Sequence, residues 1–296
     1  MTAQLTDRVK TAQRLLASSA KNSYDPLVDI DWDAPLPEGL AYLPFERVSL
    51  YGTPLWDELT PEQRVELSKN ELASIASTGL WTEIILMQML VRDAYHRDPR
   101  DPGTQYALTE VGDETRHVIM FAKALERLGC PDYHPPRFVH HLARFYKATA
   151  RGPAMYAPVL VTEEVTDRLQ RSTMNDETIH PLVRMVNRIH VVEEARHVRY
   201  ARGELSRMLP RLSRPRRAWH SLVAAIASAA LVRVLIDPKV YASVGLDPKQ
   251  ARRVARANPH HRETTRWMGE KIMAFLDEQG MVTRTTRPIY RAAHLL

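Results

Sequence analysis

Two Glu-x-x-His motifs carry the chemistry that this sequence predicts. They are Glu114 with His117 and Glu194 with His197. Residues three apart lie on one face of a helix, so the carboxylate and the imidazole of each motif can bind the same ion. A third motif, Glu177 with His180, is set aside because Pro181 follows it directly and marks the start of a helix. A single motif is a weak signal, since this composition produces about one by chance.

A glutamate lies 31 residues before each of the two motifs. Glu83 precedes Glu114 by this interval, and Glu163 precedes Glu194. The interval fits one helix, a loop and a second helix that returns to the same height. The helical neighbours of Glu83 are apolar, so its carboxylate is expected to be buried and to need a partner, either a metal ion or an arginine. Glu164 is the alternative to Glu163, and the equal spacing favours Glu163.

A further histidine lies on the face of the second motif. His190, Glu194 and His197 span only about 60° around a helix. His190 is therefore interpreted as an additional ligand, with a core histidine as the alternative. Glu110 lies one turn before Glu114, where it is interpreted as part of a solvated helix face rather than as a hydrogen-bond acceptor behind the ligands.

Together these residues resemble the ligand set of a carboxylate-bridged pair of metal ions. In such bundles two helices each supply a glutamate and two others each supply Glu-x-x-His. The predicted ligands are Glu83, Glu114, His117, Glu163, His190, Glu194 and His197. Oxygen and imidazole ligands suit iron or manganese, and the absence of thiolates disfavours copper and structural zinc. Two ions about 3.5–4 Å apart can clamp a small bridging molecule, which for iron is expected to be dioxygen.

Long helices must position these ligands, and the sequence predicts them. Thr60-Pro61-Glu62-Gln63 combines an N-cap, a proline at the first helical position and a capping box, and it starts a helix of roughly 35 residues. Further long helices are predicted at about 103–128, 153–173 and 181–208. Shorter helices are predicted at about 6–18, 136–148, 216–236, 263–279 and after Pro248. Five prolines within 25–58 predict an extended strap.

The composition also indicates an all-α protein. The chain has 296 residues, of which 44% are hydrophobic and 26% charged, with only 11 glycines. We predict a single helical domain over residues 1–296, built around a four-helix bundle with additional helices. Its parts are an N-terminal helix and strap (1–59), a metal-binding bundle (60–210) and C-terminal helices (211–296).

Charge and cysteine content exclude several classes. The net charge of +6 is concentrated in 207–217 and 251–256, without the interleaved aromatics that a single-strand nucleic-acid binder needs. Cys130 is the only cysteine, which excludes a disulfide framework and predicts a reducing, cytoplasmic setting. The N-terminus is charged throughout and does not read as a secretory signal. The longest apolar stretch, 222–232, is too short to span a bilayer, so neither nucleic acid nor a membrane is an expected partner.

The ligand pattern resembles the non-haem di-iron N-oxygenases typified by p-aminobenzoate N-oxygenase, within the ferritin-like superfamily. The resemblance covers about residues 60–200, and its distinguishing feature is the histidine at 190. It implies two iron ions, O2 as co-substrate, an external electron donor and a homodimer, with manganese as a substitute metal. It further implies oxidation of a small-molecule arylamine through hydroxylamine toward nitro by a peroxo-di-iron species. Family substrates carry a carboxylate held by a basic residue of the C-terminal helices, for which Arg262 and Arg266 are the candidates.

Other functions share parts of this pattern. A di-iron hydroxylase or desaturase acting on carbon would use the same metal chemistry with a different pocket. A ribonucleotide reductase radical subunit would need a tyrosine four residues after His117, where this chain has Phe121. A ferritin-like ferroxidase would not need the proline-rich strap or the basic C-terminal third. A metal-free helical interaction protein would bind no metal at all.

Overall fold

Helices make up the architecture of this chain. The structure is a computed structural model that describes residues 2–296, with side chains from Asp7 onward. The α-helices are α1 (Thr2–Lys21), α2 (Pro26–Asp29), α3 (Pro54–Asp57), α4 (Pro61–Ala94), α5 (Pro102–Arg127), α6 (Arg137–Thr149), α7 (Pro153–Thr173), α8 (Pro181–Met208), α9 (Arg214–Val234), α10 (Pro248–Ala257), α11 (Pro259–Glu278) and α12 (Arg287–Ala292). Within this part of the chain the β-type pairing is one isolated bridge, between Ala41 and Ile179. The predicted all-α class is confirmed.

Four long helices, α4, α5, α7 and α8, form the bundle. The pairs α4–α5 and α7–α8 are each joined by a short connection, so their members run antiparallel. Contacts between α4 and α7 and between α5 and α8 close the bundle. Helix α1 packs on α5 and α8, whereas α9 and α11 both pack on α7. The additional helices therefore cover the bundle from two sides.

The start of α4 agrees with the prediction. The Thr60 hydroxyl accepts from the Gln63 backbone N–H at 3.3 Å, and the Gln63 side chain accepts from the Thr60 N–H at 2.9 Å. This capping box satisfies two backbone donors that a helix start leaves free. The 34 residues of α4 extend for about 51 Å, which carries Glu83 deep into the bundle.

Helix α7 contains a proline whose structural cost is partly offset by α6. Pro158 has no N–H, so the carbonyl oxygen of Ala154 lacks its usual helical donor. The Tyr146 hydroxyl, on α6, donates to that oxygen at 2.7 Å. This bond connects α6 to the N-terminal part of the helix that carries Glu163.

The proline-rich strap differs from its prediction. Instead of a wholly extended segment, it contains α2, a 3-10 turn at Phe45–Arg47, and α3. Asp25 and Thr53 act as N-caps, and the proline after each occupies the first helical position. Of the five prolines that forbid a long helix here, Pro26 and Pro54 therefore start short helices.

The C-terminal third also contains elements that the sequence did not predict. These are a 3-10 segment at Pro238–Val244 and helix α12. Helix α11 starts four residues earlier than expected because Asn258 caps it and Pro259 takes its first position. One apolar core extends from Ala12 to Leu295 and joins all three parts of the chain. Two segments, Pro61–Ala94 and Arg214–Val244, have the length and apolar composition of membrane-crossing helices, and both pack against other helices.

A buried hydrogen-bond group joins the strap, the bundle and the C-terminal region. The carboxyl group of Glu71, on α4, accepts from the Ser49 backbone N–H at 3.0 Å and from the Ser49 hydroxyl. The same hydroxyl lies 2.9 Å from the hydroxyl of Tyr241. Burial raises the pKa of Glu71 to about 7, although the bonds from Ser49 oppose this shift. Glu71 is therefore mostly protonated in mild acid.

Glu71 should make the stability of the chain depend on pH. Because its pKa is higher in the folded state, the stability it contributes is complete below about pH 4.5 and is lost as the pH rises through 7. Relative to Glu71→Gln, the wild-type free energy of unfolding should fall by about 2–3 kcal/mol between pH 5 and pH 8. Urea titrations at both pH values measure it. As a control, Glu58→Gln changes an exposed position and should show the same pH dependence of the unfolding free energy as the wild type. If the wild type and Glu71→Gln showed the same pH dependence, the raised pKa assigned to Glu71 would be contradicted.

Candidate metal centre

The structure brings all seven predicted ligands together inside the bundle, and all are buried. They form three groups in which the carboxylate oxygens or imidazole nitrogens lie within 4.8 Å of one another. The groups are Glu114, His117, Glu194 and His197; Glu83, His117 and His190; and Glu163, His190 and Glu194. Shared members connect the three groups into one cluster, to which α4, α5, α7 and α8 all contribute.

The structure separates the two adjacent glutamates of α7. Glu163 is buried and belongs to the cluster. Glu164 instead accepts from the guanidinium of Arg202, at 2.7 Å from its Nε. The equal-spacing argument thus selected the glutamate that faces the other ligands.

Glu83 has no arginine partner in the described part of the chain. Its carboxylate lies 3.6 Å from Nε2 of His190. Burial raises the pKa of Glu83 well above its usual range, and the neighbouring Glu114 and Glu163 raise it further. The arginine alternative considered for this position is therefore excluded among the residues the structure describes.

Several buried polar atoms of the cluster lack a hydrogen-bond partner among the described residues. They include Oε2 of Glu83, Nε2 of His190 and Oε1 of Glu194. A buried polar atom without a partner is costly, and unbalanced buried carboxylates more so. A divalent cation offers these lone pairs a partner and balances the charge. The donor set, of carboxylates and imidazoles without thiolates, fits iron or manganese.

The outward ring nitrogen of each histidine has an acceptor. For His117, Nε2 lies 3.0 Å from the Glu193 carboxylate. For His197, Nε2 lies 3.1 Å from the Asp113 carboxylate, and for His190, Nδ1 lies 2.7 Å from the side-chain oxygen of Gln170. An N–H donated outward fixes the ring orientation and leaves the other nitrogen free to face the carboxylates. This is the arrangement that metal-binding histidines generally have.

The inward nitrogens point to the ligand carboxylates. Nδ1 of His117 lies 2.9 Å from Glu114, and Nδ1 of His197 lies 3.0 Å from Glu194. Burial lowers the pKa of His117, but Glu114 and Glu193 together outweigh this effect and raise the pKa to about 9. Binding of a metal ion at Nδ1 would require that this nitrogen carry no proton.

Asp113 and Glu193 are functional neighbours that the sequence reasoning missed. Each directly precedes a motif glutamate, and each contacts the histidine of the opposite motif, so the two motifs support each other reciprocally. The signal was present in the sequence, which contains Asp-Glu-Thr-Arg-His at 113–117 and Glu-Glu-Ala-Arg-His at 193–197. The arginines repeat too: Arg116 contacts Asp113, and Arg196 lies 3.4 Å from Glu193.

The interpretation of Glu110 as part of a solvated helix face is wrong. Its side chain is 2% exposed, and one carboxylate oxygen has no hydrogen-bond partner among the described residues. Burial raises the pKa of Glu110 well above its usual range, and Glu114 and Glu194 raise it further against the opposing effect of His197. One turn before Glu114, on the same face, Glu110 points into the bundle rather than to solvent.

Two cavities are lined by residues of the cluster, and a third adjoins one of them. A small cavity of about 40 Å³ is lined by Glu83, Glu163, His190 and Phe121. An apolar cavity of about 420 Å³ shares Thr82, Thr162 and Glu163 with it. The third cavity, called the basic cavity, has a volume of about 550 Å³ and lies among the C-terminal helices. It shares Ile75 and Leu169 with the small cavity. The small cavity at the centre thus borders two larger cavities of different chemistry.

The two arginines proposed for substrate binding have different environments. Arg262 lines the basic cavity together with Arg233, Arg252 and Arg256. Arg266 is exposed and pairs with Glu263 at 2.7 Å. Among the described residues, Arg266 does not line any of the three cavities.

Comparison with known proteins agrees with this fold and cluster. The family described as p-aminobenzoate N-oxygenase AurF matches residues 5–280. Uncharacterized proteins of Mycobacterium tuberculosis (strain H37Rv) and Mycobacterium bovis are each 29% identical over 240 residues, which cover 78% of this chain and 70% of each relative. The family is ferritin-like and depends on two iron ions. With a match over nearly its whole length, this chain belongs to the p-aminobenzoate N-oxygenase AurF family.

Proposed function

We propose that this protein is a di-iron, O2-dependent monooxygenase that oxidises an arylamine at nitrogen, from amine to hydroxylamine and toward nitro. The observation that carries the proposal is the buried cluster of carboxylates and imidazoles in a chain of this family. The cluster supplies ligands, and the adjoining cavities supply room for an organic substrate. A ferroxidase would need only the first of these features.

The proposed metal ligands are the seven buried side chains of the cluster. They are Glu83, Glu114, His117, Glu163, His190, Glu194 and His197. Two iron ions held there would supply the activation of O2, and manganese is a substitute that the same ligands allow. Asp113, Glu193 and Gln170 would hold the imidazole rings in the orientation that binding requires.

The first oxidation can be balanced explicitly. One N–O bond forms, and an N–H bond of the amine becomes the O–H of the hydroxylamine. The second oxygen atom of O2 leaves as water with two protons and with two electrons from an external donor. The electron donor, the homodimer, the cytoplasmic location and the absence of a nucleic-acid partner stay predictions.

The basic cavity supports an anionic group on the substrate. Arg233, Arg252, Arg256 and Arg262 line it. Partial burial lowers the pKa of Arg256, and repulsion from Arg252 and Arg233 lowers it further, so an anion would relieve the crowding. We propose that the anionic end binds near Arg262 and that the ring passes Ile75 and Leu169, with the amine in the small cavity beside Glu83 and Glu163.

A di-iron hydroxylase or desaturase acting on carbon is the second candidate. The observation that favours it is the apolar cavity, which reaches Glu163 without lining arginines at that end. Both candidates share the ligands and differ in the cavity that delivers the substrate.

Metal content distinguishes the two adjacent glutamates of α7. We expect Glu163→Gln to lose at least one iron per chain, because an amide oxygen is a weaker ligand than a carboxylate and does not balance charge. Glu164→Gln should keep the wild-type content, since Glu164 contacts Arg202. Iron is counted by mass spectrometry on folded, iron-loaded protein. Full loading of Glu163→Gln, or loss of iron from Glu164→Gln, would refute the ligand assignment.

The role of Arg262 can be tested with p-aminobenzoate as the probe. Arg262→Gln should raise KM about fivefold to tenfold with little change in kcat, because one partly exposed ion pair is lost. The KM for uncharged aniline should not change. Arg266→Gln serves as the control, since Arg266 already pairs with Glu263. Equal effects of the two substitutions would contradict the proposed substrate orientation.

The reaction itself is tested by a single turnover. Iron-loaded protein is reduced, mixed with ¹⁸O2 and p-aminobenzoate, and the products are analysed by mass spectrometry. We expect one ¹⁸O atom on nitrogen in the first product. Label on carbon would instead support the hydroxylase, and consumption of O2 without an organic product would support a ferroxidase.

A further inference from the structure

The apolar cavity is not used by the arylamine path proposed above. It lies between α4, α6, α7 and α9, and its lining is mostly aliphatic and aromatic. At its inner end Thr82, Thr162 and Glu163 separate it from the small cavity at the centre. A space of about 420 Å³ is within the usual range for the binding site of a small organic molecule.

The mouth of this cavity exposes large apolar side chains. Leu142 and Phe145 on α6 are 54% and 71% exposed, and Trp219 and Ile226 on α9 are 64% and 54% exposed. All four also line the cavity. A contiguous exposed apolar patch at a cavity mouth marks a binding surface. The apolar lining then continues inward from this patch, which suits an elongated chain rather than a flat partner.

The charge around the mouth is entirely positive on its two helices. Neither α6 nor α9 contains an aspartate or a glutamate, whereas α6 carries two arginines and a lysine and the start of α9 carries Arg214, Arg216 and Arg217. Arg151 lines the cavity itself. Arg216 is exposed and lies one helical turn before His220, which lines the cavity, so its side chain lies on the face of α9 that borders the mouth. A second copy of this face would bring like charges together, whereas an anionic group would be attracted.

We propose that the apolar cavity binds the aliphatic chain of an anionic amphiphile, such as a medium- or long-chain carboxylate. Its head group lies among Arg151 and Arg216 at the mouth, and the far end of its chain reaches Thr82 and Thr162. The proposal concerns binding, and it depends on the cavity rather than on the proposed amine oxidation.

Chain length provides the first test. Dodecanoate, kept below its micelle concentration, is titrated into the iron-loaded protein, and binding is measured by calorimetry and by quenching of Trp81 and Trp219 with a brominated analogue. Both tryptophans line the cavity. Affinity should rise about threefold to fourfold for each methylene until the cavity is filled. Affinity that does not depend on chain length would overturn the proposal.

Two matched variants on α6 test the location. Ala143 lines the cavity, whereas Ala148 on the same helix is exposed and does not. Ala143→Phe should weaken dodecanoate binding at least tenfold by filling the cavity, and Ala148→Phe should stay within twofold of the wild type. Arg151→Gln should weaken dodecanoate binding but not dodecanol binding. Equal effects of Ala143→Phe and Ala148→Phe would overturn the proposed site.

Other occupants of this face give different results. Binding to phosphatidylglycerol vesicles without binding of monomeric dodecanoate would overturn the proposal in favour of a membrane surface. Self-association that Trp219→Glu abolishes, again without dodecanoate binding, would overturn it in favour of a second copy. Dodecanoate binding by protein that does not oxidise amines would support the proposal and count against the proposed function alone.

Discussion

Four carboxylates crowded inside a helical core are the constraint around which this structure is organised. Glu83, Glu114, Glu163 and Glu194 are all buried, and burial together with mutual repulsion raises the pKa of Glu83 and Glu163 well above the usual range. Buried carboxylates are tolerated when they are protonated or paired with positive charge. The cluster is able to bind cations, which would supply that charge.

Support for the centre is reciprocal between the two motifs. Asp113, beside the first motif, contacts the histidine of the second, and Glu193, beside the second, contacts the histidine of the first. Asp113 and Glu193 therefore each orient an imidazole ring and also connect α5 to α8. Arg196 lies 3.5 Å from Asp113 and 3.4 Å from Glu193, and so joins the two supports electrostatically. The contacts that orient the histidines of the cluster are therefore also contacts between two helices of the bundle.

The sequence predicted the parts of this structure that depend on local chemistry. Caps and prolines located the ends of α4, α7 and α8 closely, and helical spacing identified the seven residues that converge. The sequence-based predictions failed for side chains whose burial and contacts are decided by packing between helices. Glu110 was assigned to solvent because charged side chains are usually exposed, although it lies one turn before Glu114 on the face of α5 that packs inward. Gln170 was missed because no motif connects it to His190, which lies on another helix.

The cavities are the least predictable feature, since each is formed by side chains from four or more separate segments. The basic and the apolar cavity differ in chemistry because different C-terminal helices close them. Arginines of α10 and α11 line the basic cavity. Small and apolar residues of α9 line the apolar cavity. The chemistry of the space around the cluster is therefore set by these outer helices rather than by the bundle alone. In this chain the two cavities border the small cavity at the centre through different residues, Ile75 and Leu169 for the basic cavity and Thr82 and Thr162 for the apolar one. The two boundaries therefore differ in the side chains that a molecule would pass on its way to Glu163.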